Sequence, residues 1–369
     1  MDHIKVLKRA WETTWRYRAL WIFGIILALT TASGGGSGSS GSSGGGGGNG
    51  GNGGFPPRGD FPWPPGDISW PEILPEVVSL LIIIGVGLAC LTIFLIIAAT
   101  IARYVAETAL IRMVDDHEET GEKRSVRQGF RMGWSRTTFR LFLIKLLIDL
   151  PVTLVFILLF ALALAPLLLW ALGSNAAGVI GTVATIGLFF LLLFLAIVIG
   201  ALLSLLMKFF WRACALEELG VIESIRHGLG VVTRHLKDVG IMWLIMIGVQ
   251  IGWVIAMIAI TIVLFPAIIL LIVVGGVLGG LPALLVGGLA GLFFEGAVPW
   301  IVAGLIGIPI FILVMAAPWL FLGGLMEVFK SSTWTLAYRE LRALEGLETE
   351  SEEQSELDEP GLDSLPDSL

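Results

Sequence analysis

Charge is what this chain has least of. Asp, Glu, Lys and Arg make up 14% of its 369 residues, about half the share found in soluble proteins. Apolar residues make up 56%, and the mean hydropathy is +0.90. So few charges cannot cover that much apolar surface in water. A soluble globule is excluded, and the expected class is an all-α, polytopic membrane protein. Cysteine is nearly missing too. Cys90 lies in an apolar run and Cys214 in a basic stretch, so the two sit at different depths and neither a disulfide nor a metal spacing is expected. No Walker loop, zinc-protease helix or catalytic-triad spacing occurs. No catalytic residue, cofactor or metal ligand is assigned.

Basic residues are missing from the C-terminal stretch. From Glu345 onward there are ten acidic residues and no basic one, which leaves 20 acidic against 23 basic residues in the rest of the chain. The net charge of −7 therefore belongs to a tail, residues 343–369, which reads as disordered. Nucleic-acid binding gets no support from either part.

A hydrocarbon core of about 30 Å takes roughly 20 apolar residues in a helix. Six spans are expected, over 19–32, 77–102, 141–170, 180–207, 239–265 and 301–326. Lys and Arg cluster before the first span, between 103 and 140, between 208 and 237, and between 330 and 342. The alternate loops hold only Arg58. The positive-inside rule then places both termini in the cytoplasm and loops 33–76, 171–179 and 266–300 outside. The plasma membrane of a prokaryote is the expected location. The first span also has the basic flank, apolar core and small-residue end of a signal peptide. Its long, helically patterned flank favours a retained span.

Residues 34–54 contain only Gly, Ser and Asn, a flexible coil. Its Gly-x-Ser-x-Gly match at Gly41–Gly45 has no strand or helix beside it. Residues 55–76 are proline-rich with Phe55, Phe61, Trp63 and Trp70, an extended aromatic strip at the outer headgroups. The apolar, glycine-rich segment 266–299 is interrupted by Pro266, Pro282 and Pro299. Two halves meeting at Pro282 predict a re-entrant or kinked segment shielded by protein. The pairs Gly275/Gly279, Gly276/Gly280 and Gly287/Gly291 have the spacing that lets helices approach closely.

Three basic segments precede the odd-numbered spans: Leu7-Lys8-Arg9-Ala10-Trp11, Val126-Arg127-Gln128-Gly129-Phe130 and Ile225-Arg226-His227-Gly228-Leu229. Each reads apolar, basic, polar, small, large apolar, and each keeps an apolar stripe at helical spacing. That pattern predicts helices lying on the inner membrane surface, the first over residues 1–18. The exits from the even spans are also alike: Glu107-Thr108-Ala109-Leu110, Ala213-Cys214-Ala215-Leu216 and Thr333-Trp334-Thr335-Leu336. Three tandem units of surface helix, span in, span back and exit should pack around an axis along the membrane normal. The membrane domain then covers residues 1–342.

This arrangement resembles a set of poorly characterised prokaryotic six-span membrane proteins that includes the membrane domain of some glycerophosphodiester phosphodiesterases. The resemblance implies a shared membrane part only. Those enzymes carry a separate catalytic barrel with a His-Glu metal site, and this chain has no soluble block to match it.

Among intramembrane polar residues, Lys145 and Asp149 stand four apart and can pair. A relay is one reading. The preferred one places both at the inner interface, because residues 152–170 suffice to cross and Pro151 would break the helix before them. Lys145 would snorkel and Asp149 cap the following helix. Gln250 is the only amide of the fifth span and can bond between helices. The acidic run Asp115-Asp116-His117-Glu118-Glu119 reads as a solvated, self-balancing charge cluster, and His227 and His235 as surface residues. Arg127, Arg131 and Arg136 are the candidate lipid-headgroup contacts. The expected function is a non-enzymatic membrane scaffold or accessory whose partners are lipids. The rival is a transporter or channel working through 266–299 and the Lys145/Asp149 pair.

Overall fold

In the computed structural model the described residues, 2–33, 75–172, 175–292 and 298–358, are helical apart from short connections such as 121–125 and 217–220, with no strand among them. The helices are α1 (His3–Arg16), α2 (Ala19–Ser33), α3 (Pro75–Thr120), α4 (Val126–Gly133), α5 (Arg136–Ala163), α6 (Asn175–Leu216), α7 (Val221–Arg234), α8 (Leu236–Val263), α9 (Phe265–Gly291) and α10 (Val298–Asp358), with a 3-10 helix over Ala165–Leu172. The Gly/Ser tract, most of the proline-rich strip and residues 359–369 lie outside the described residues. The chain divides into two compact units, Met1–Ser33 with Ala102–Leu369, and Gly34–Ile101. Of the second, the described residues form the apolar N-terminal part of α3.

Six described helices are long and apolar enough to cross a membrane: Gly85–Thr120, Arg136–Leu168, Asn175–Leu216, Leu236–Val263, Phe265–Gly291 and Val298–Gly346. Five overlap the spans expected after the first. The sixth is α9, which runs unbroken through Pro282 where two half-helices were expected. The helix over the first expected span forms as well, but α2 has 15 residues, and at 1.5 Å each it reaches about 22 Å. Pro151 likewise sits inside α5 rather than before it. A proline costs one hydrogen bond, and an apolar helix with neighbours in a membrane tolerates that loss. The break in this hairpin comes later, at Leu164 and Ala165, beside Pro166.

The described core lies where the expected exits are. Thr108, Ala109 and Leu110 on α3, Ala213 and Cys214 on α6, and Thr333 and Thr335 on α10 are each 0% exposed. The surface helices pack on these exits through their small residues. A Cβ at Gly129 would meet Phe23 Cζ at 2.7 Å and the Met113 sulfur of α3. One at Gly133 would meet Ala109 Cβ at 3.1 Å, and one at Gly228 would meet Phe210 Cδ1 of α6 at 2.7 Å. Ala10 is fully buried in one cluster with Leu336 and Ala337 of α10. So α4 lies on α3, α7 on α6, and α1 on α10. Each surface helix rests on the exit of the unit before it, and α1 closes the circle on the last.

Local signals start these helices. Asp2 Oδ1 accepts from Lys5 N at 3.1 Å to cap α1. Ser125 and Gln128 form a capping box on α4, which explains the polar slot in that unit. Tyr17 ends α1 and donates its hydroxyl to Arg124 O at 2.9 Å. Burial raises the pKa of that phenol, so it stays protonated. The acidic stretch after 342 begins as helix. Leu344 packs on the core cluster and Glu345 pairs with Arg234 and His235; the α10 helix extends to Asp358.

Candidate functional site

The three exits are tied to one another by ion pairs in cyclic order. Arg112 of α3 pairs with Glu218 beyond α6 at 2.8 Å. Glu217 accepts from Tyr338 and Arg342 of α10. Arg339 of α10 returns to Asp115 and Glu119 of α3, the latter at 3.5 Å. Arg9 of α1 adds a contact to Glu118 at 2.7 Å. Arg124 Nε bonds Asp116 Oδ2 at 2.7 Å. The acidic run of α3 is thus balanced by cations of α1 and α10 as well as by its own neighbour. Glu218 is the one non-glycine residue among those described with a left-handed backbone, at φ 55°. Arg140 holds it there through the Glu218 carbonyl at 2.7 Å.

Inside this ring lies a polar centre. Arg212, at 1% exposure, donates from Nη1 to Lys208 O at 2.7 Å and from Nη2 to Ser331 O at 3.1 Å. Among the described residues its Nε has no hydrogen-bond partner, nor do the buried hydroxyls of Ser331, Ser332 and Thr333. Glu107, 6% exposed, faces both Arg212 and Lys208 electrostatically. Glu327 and Lys330 complete the group and pair at 3.2 Å. The sequence reading placed Lys208 and Arg212 in a basic loop and missed this centre. The available signal was an arginine inside the apolar exit Phe209-Phe210-Trp211-Arg212-Ala213.

The residues singled out beforehand fall into two places. Lys145 and Asp149 sit one turn apart on unbroken α5, with Nζ and Oδ2 3.8 Å apart. Asp149 is mid-helix, so it caps nothing; the uninterrupted α5 backbone removes the N-terminus it was expected to cap. Lys145 also lies within electrostatic reach of Arg103 and Lys208, which puts it near the polar centre. Gln250 is half-buried on α8. Arg127, Arg131 and Arg136 are exposed on and just after α4, with no ion pair among the described residues. His227 and His235 are not plain surface residues: they approach Glu217 at 3.3 Å and Glu345 at 4.0 Å. Cys90 and Cys214 are free thiols, the first exposed and the second buried. Among the described residues no group of His, Cys, Asp and Glu could hold a metal ion.

Arg339→Gln would leave Asp115 without its partner on α10. The expected cost is about 1 kcal/mol in low salt, because the pair is partly exposed and screened. Thermal unfolding in detergent at two salt concentrations would check this. A loss that does not shrink with salt would count against an ionic role.

Long apolar helices with charge gathered at one end define a multi-pass membrane protein. The chain belongs to the family of unknown function DUF7544, which it matches over residues 1–334. That match brings no link to the glycerophosphodiester phosphodiesterases. No curated protein and no solved structure matches the chain.

Proposed function

We propose that the protein is a membrane scaffold that gathers anionic lipid at the inner leaflet of a prokaryotic plasma membrane. Both termini face the cytoplasm in this reading. It is supported by the lopsided basic loops and by α1, which packs on the far half of α10 and joins Asp2 N to Glu340 Oε1 at 3.0 Å.

One observation carries the proposal. Each surface helix buries its small residues in the core and turns large apolar side chains outward. Ile4, Trp11 and Trp15 are 80%, 52% and 49% exposed, Trp134 is 73% and Ile222 is 76%. Exposed Lys5, Lys8, Arg127, Arg131, Arg226 and Arg234 accompany them. Apolar and cationic groups on one outward surface fit a headgroup boundary. Trp11, Trp15, Trp21 and Phe321 stack edge to face in sequence, at 5.6 to 6.0 Å, an amphipathic aromatic row suited to that depth.

Extraction with a belt of native lipid tests this. Anionic lipid should be enriched around the wild type. It should fall on replacing Arg127, Arg131 and Arg136 with Gln, at about 1 kcal/mol for each lost charge. An unchanged lipid profile would defeat the proposal. Transport draws on less, since Gly275, Gly279 and Gly287 are taken up in packing against α10.

A further inference from the structure

The acidic stretch begins on α7. Its first carboxylate, Glu345, stands with Oε1 3.7 Å from Arg234 Nη1 and 4.0 Å from His235 Nε2. A groove of about 410 Å³ continues from this contact along α7, lined by Glu223, Arg226, His227, Gly230, Val231 and Arg234. Those residues recur at spacings of three and four, so they share one face of the helix. A Cβ on Gly230 would meet nothing, which leaves the groove open at its middle.

That face of α7 carries more positive than negative charge. Arg226 and Arg234 stand against Glu223 alone, and Glu223 lies in the first turn of the helix, where the helix dipole matches a carboxylate. Arg226 is exposed and makes no ion pair among the described residues. Residues 346–369 hold nine acidic side chains and no basic one. Helix α10 carries the chain from Glu345 to Asp358, about 20 Å at 1.5 Å per residue. Five extended residues bring Asp363 back by up to about 18 Å, close to the level of Glu345, and the long side chain of Arg234 covers the rest. Pro360 and Pro366 lie in this stretch, and a polyproline-like path sets Asp363 and Asp367 about 12 Å apart. Arg226 and Arg234, eight residues apart on α7, are also separated by about 12 Å.

We propose that residues 359–369 fold back into the α7 groove, with Asp363 on Arg234 and Asp367 on Arg226. The tether holds these carboxylates at an effective concentration of about millimolar, so weak surface pairs are enough to favour docking. An anionic headgroup is another ligand of matching charge, but Glu345 already commits the start of the stretch to this face. Docking has one consequence that rests on the leaflet reading above: the tail withholds Arg226 and Arg234 from anionic lipid.

Spin labels on Thr233→Cys and Ser364→Cys, in the full chain in neutral detergent, test the proposal through the distance between them. Cys90 is replaced by Ala, and the buried Cys214 is left in place. A short, narrow distance peak is expected at low salt, giving way to a long, broad one at high salt. Arg226→Gln with Arg234→Gln should lower the docked-to-free ratio about fivefold, and so should Glu359→Gln, Asp363→Asn and Asp367→Asn together. The Arg127, Arg131 and Arg136 to Gln variant should keep the short peak. The neutral tail should also raise the anionic lipid around the chain; no rise, with the peak behaving as expected, would fail the leaflet reading and leave the docking in place. A broad, long distance at low salt, a short peak indifferent to both arginines, or one that fades on dilution with unlabelled chain, as the tail of a second copy would, would each overturn the inference.

Discussion

Gly24→Ala is expected to detach α2 from α10. At this crossing the two backbones touch: a Cβ on Gly324 would stand 2.8 Å from Ile25 N and 3.0 Å from Gly24 C, and one on Gly24 would strike the Gly324 carbonyl and Val328. Backbone on helix cannot swing aside as a long side chain does, so the helices must separate. Overpacking of this kind costs about 1–3 kcal/mol where neighbours can yield, and the upper end is expected when they cannot. The separation would also pull apart Trp21 and Phe321, whose rings meet at 5.6 Å. Thermal unfolding in detergent and the emission of Trp21, in a background with the other tryptophans replaced, would follow it. Gly276→Ala is the matched control. It lies in open space on α9, where alanine gains about 1 kcal/mol of helix propensity. Equal unfolding temperatures for the two variants would show that the close crossing does not matter.

Arg212→Gln should be nearly as damaging, and Glu107→Gln should partly rescue it. Removing the guanidinium leaves Glu107 in a buried place with one fewer cation, a change that costs about 3–5 kcal/mol when a buried pair is broken from one side. Removing both charges leaves neutral groups with hydrogen-bonding capacity. The double variant is therefore expected to be more stable than the sum of the single losses, by roughly 1–3 kcal/mol. Strict additivity would mean that Glu107 and Arg212 do not sense each other, and the centre would lose its electrostatic meaning.

Class and helical content were legible because lipid imposes them. A membrane-crossing segment must bond its own backbone and present apolar side chains, so its length and composition show in any stretch. The small residue of each basic segment was legible too, as a pattern. Its cause was not: Gly129 and Gly228 are small because Met113, Phe23 and Phe210 press on them. Pro151 and Pro282 misled, since a rule for helices in water was applied to helices that lipid and neighbours support. The polar centre was missed because its members come from α3, α6 and α10, more than a hundred residues apart, and only Arg212 looked out of place in its own sequence.

The amino-acid order alone determined that this chain is a multi-pass membrane protein and that it is built of three like units. These follow from transfer energies and from charge, which act residue by residue and need no partner. The tertiary structure decided the rest. It chose which helices meet, closing α1 onto α10 and laying Gly24 against Gly324. It also brought Glu107, Lys208 and Arg212 into one buried group. Those outcomes depend on shape and on distance between residues far apart in the chain, and neither is written in any single stretch of it.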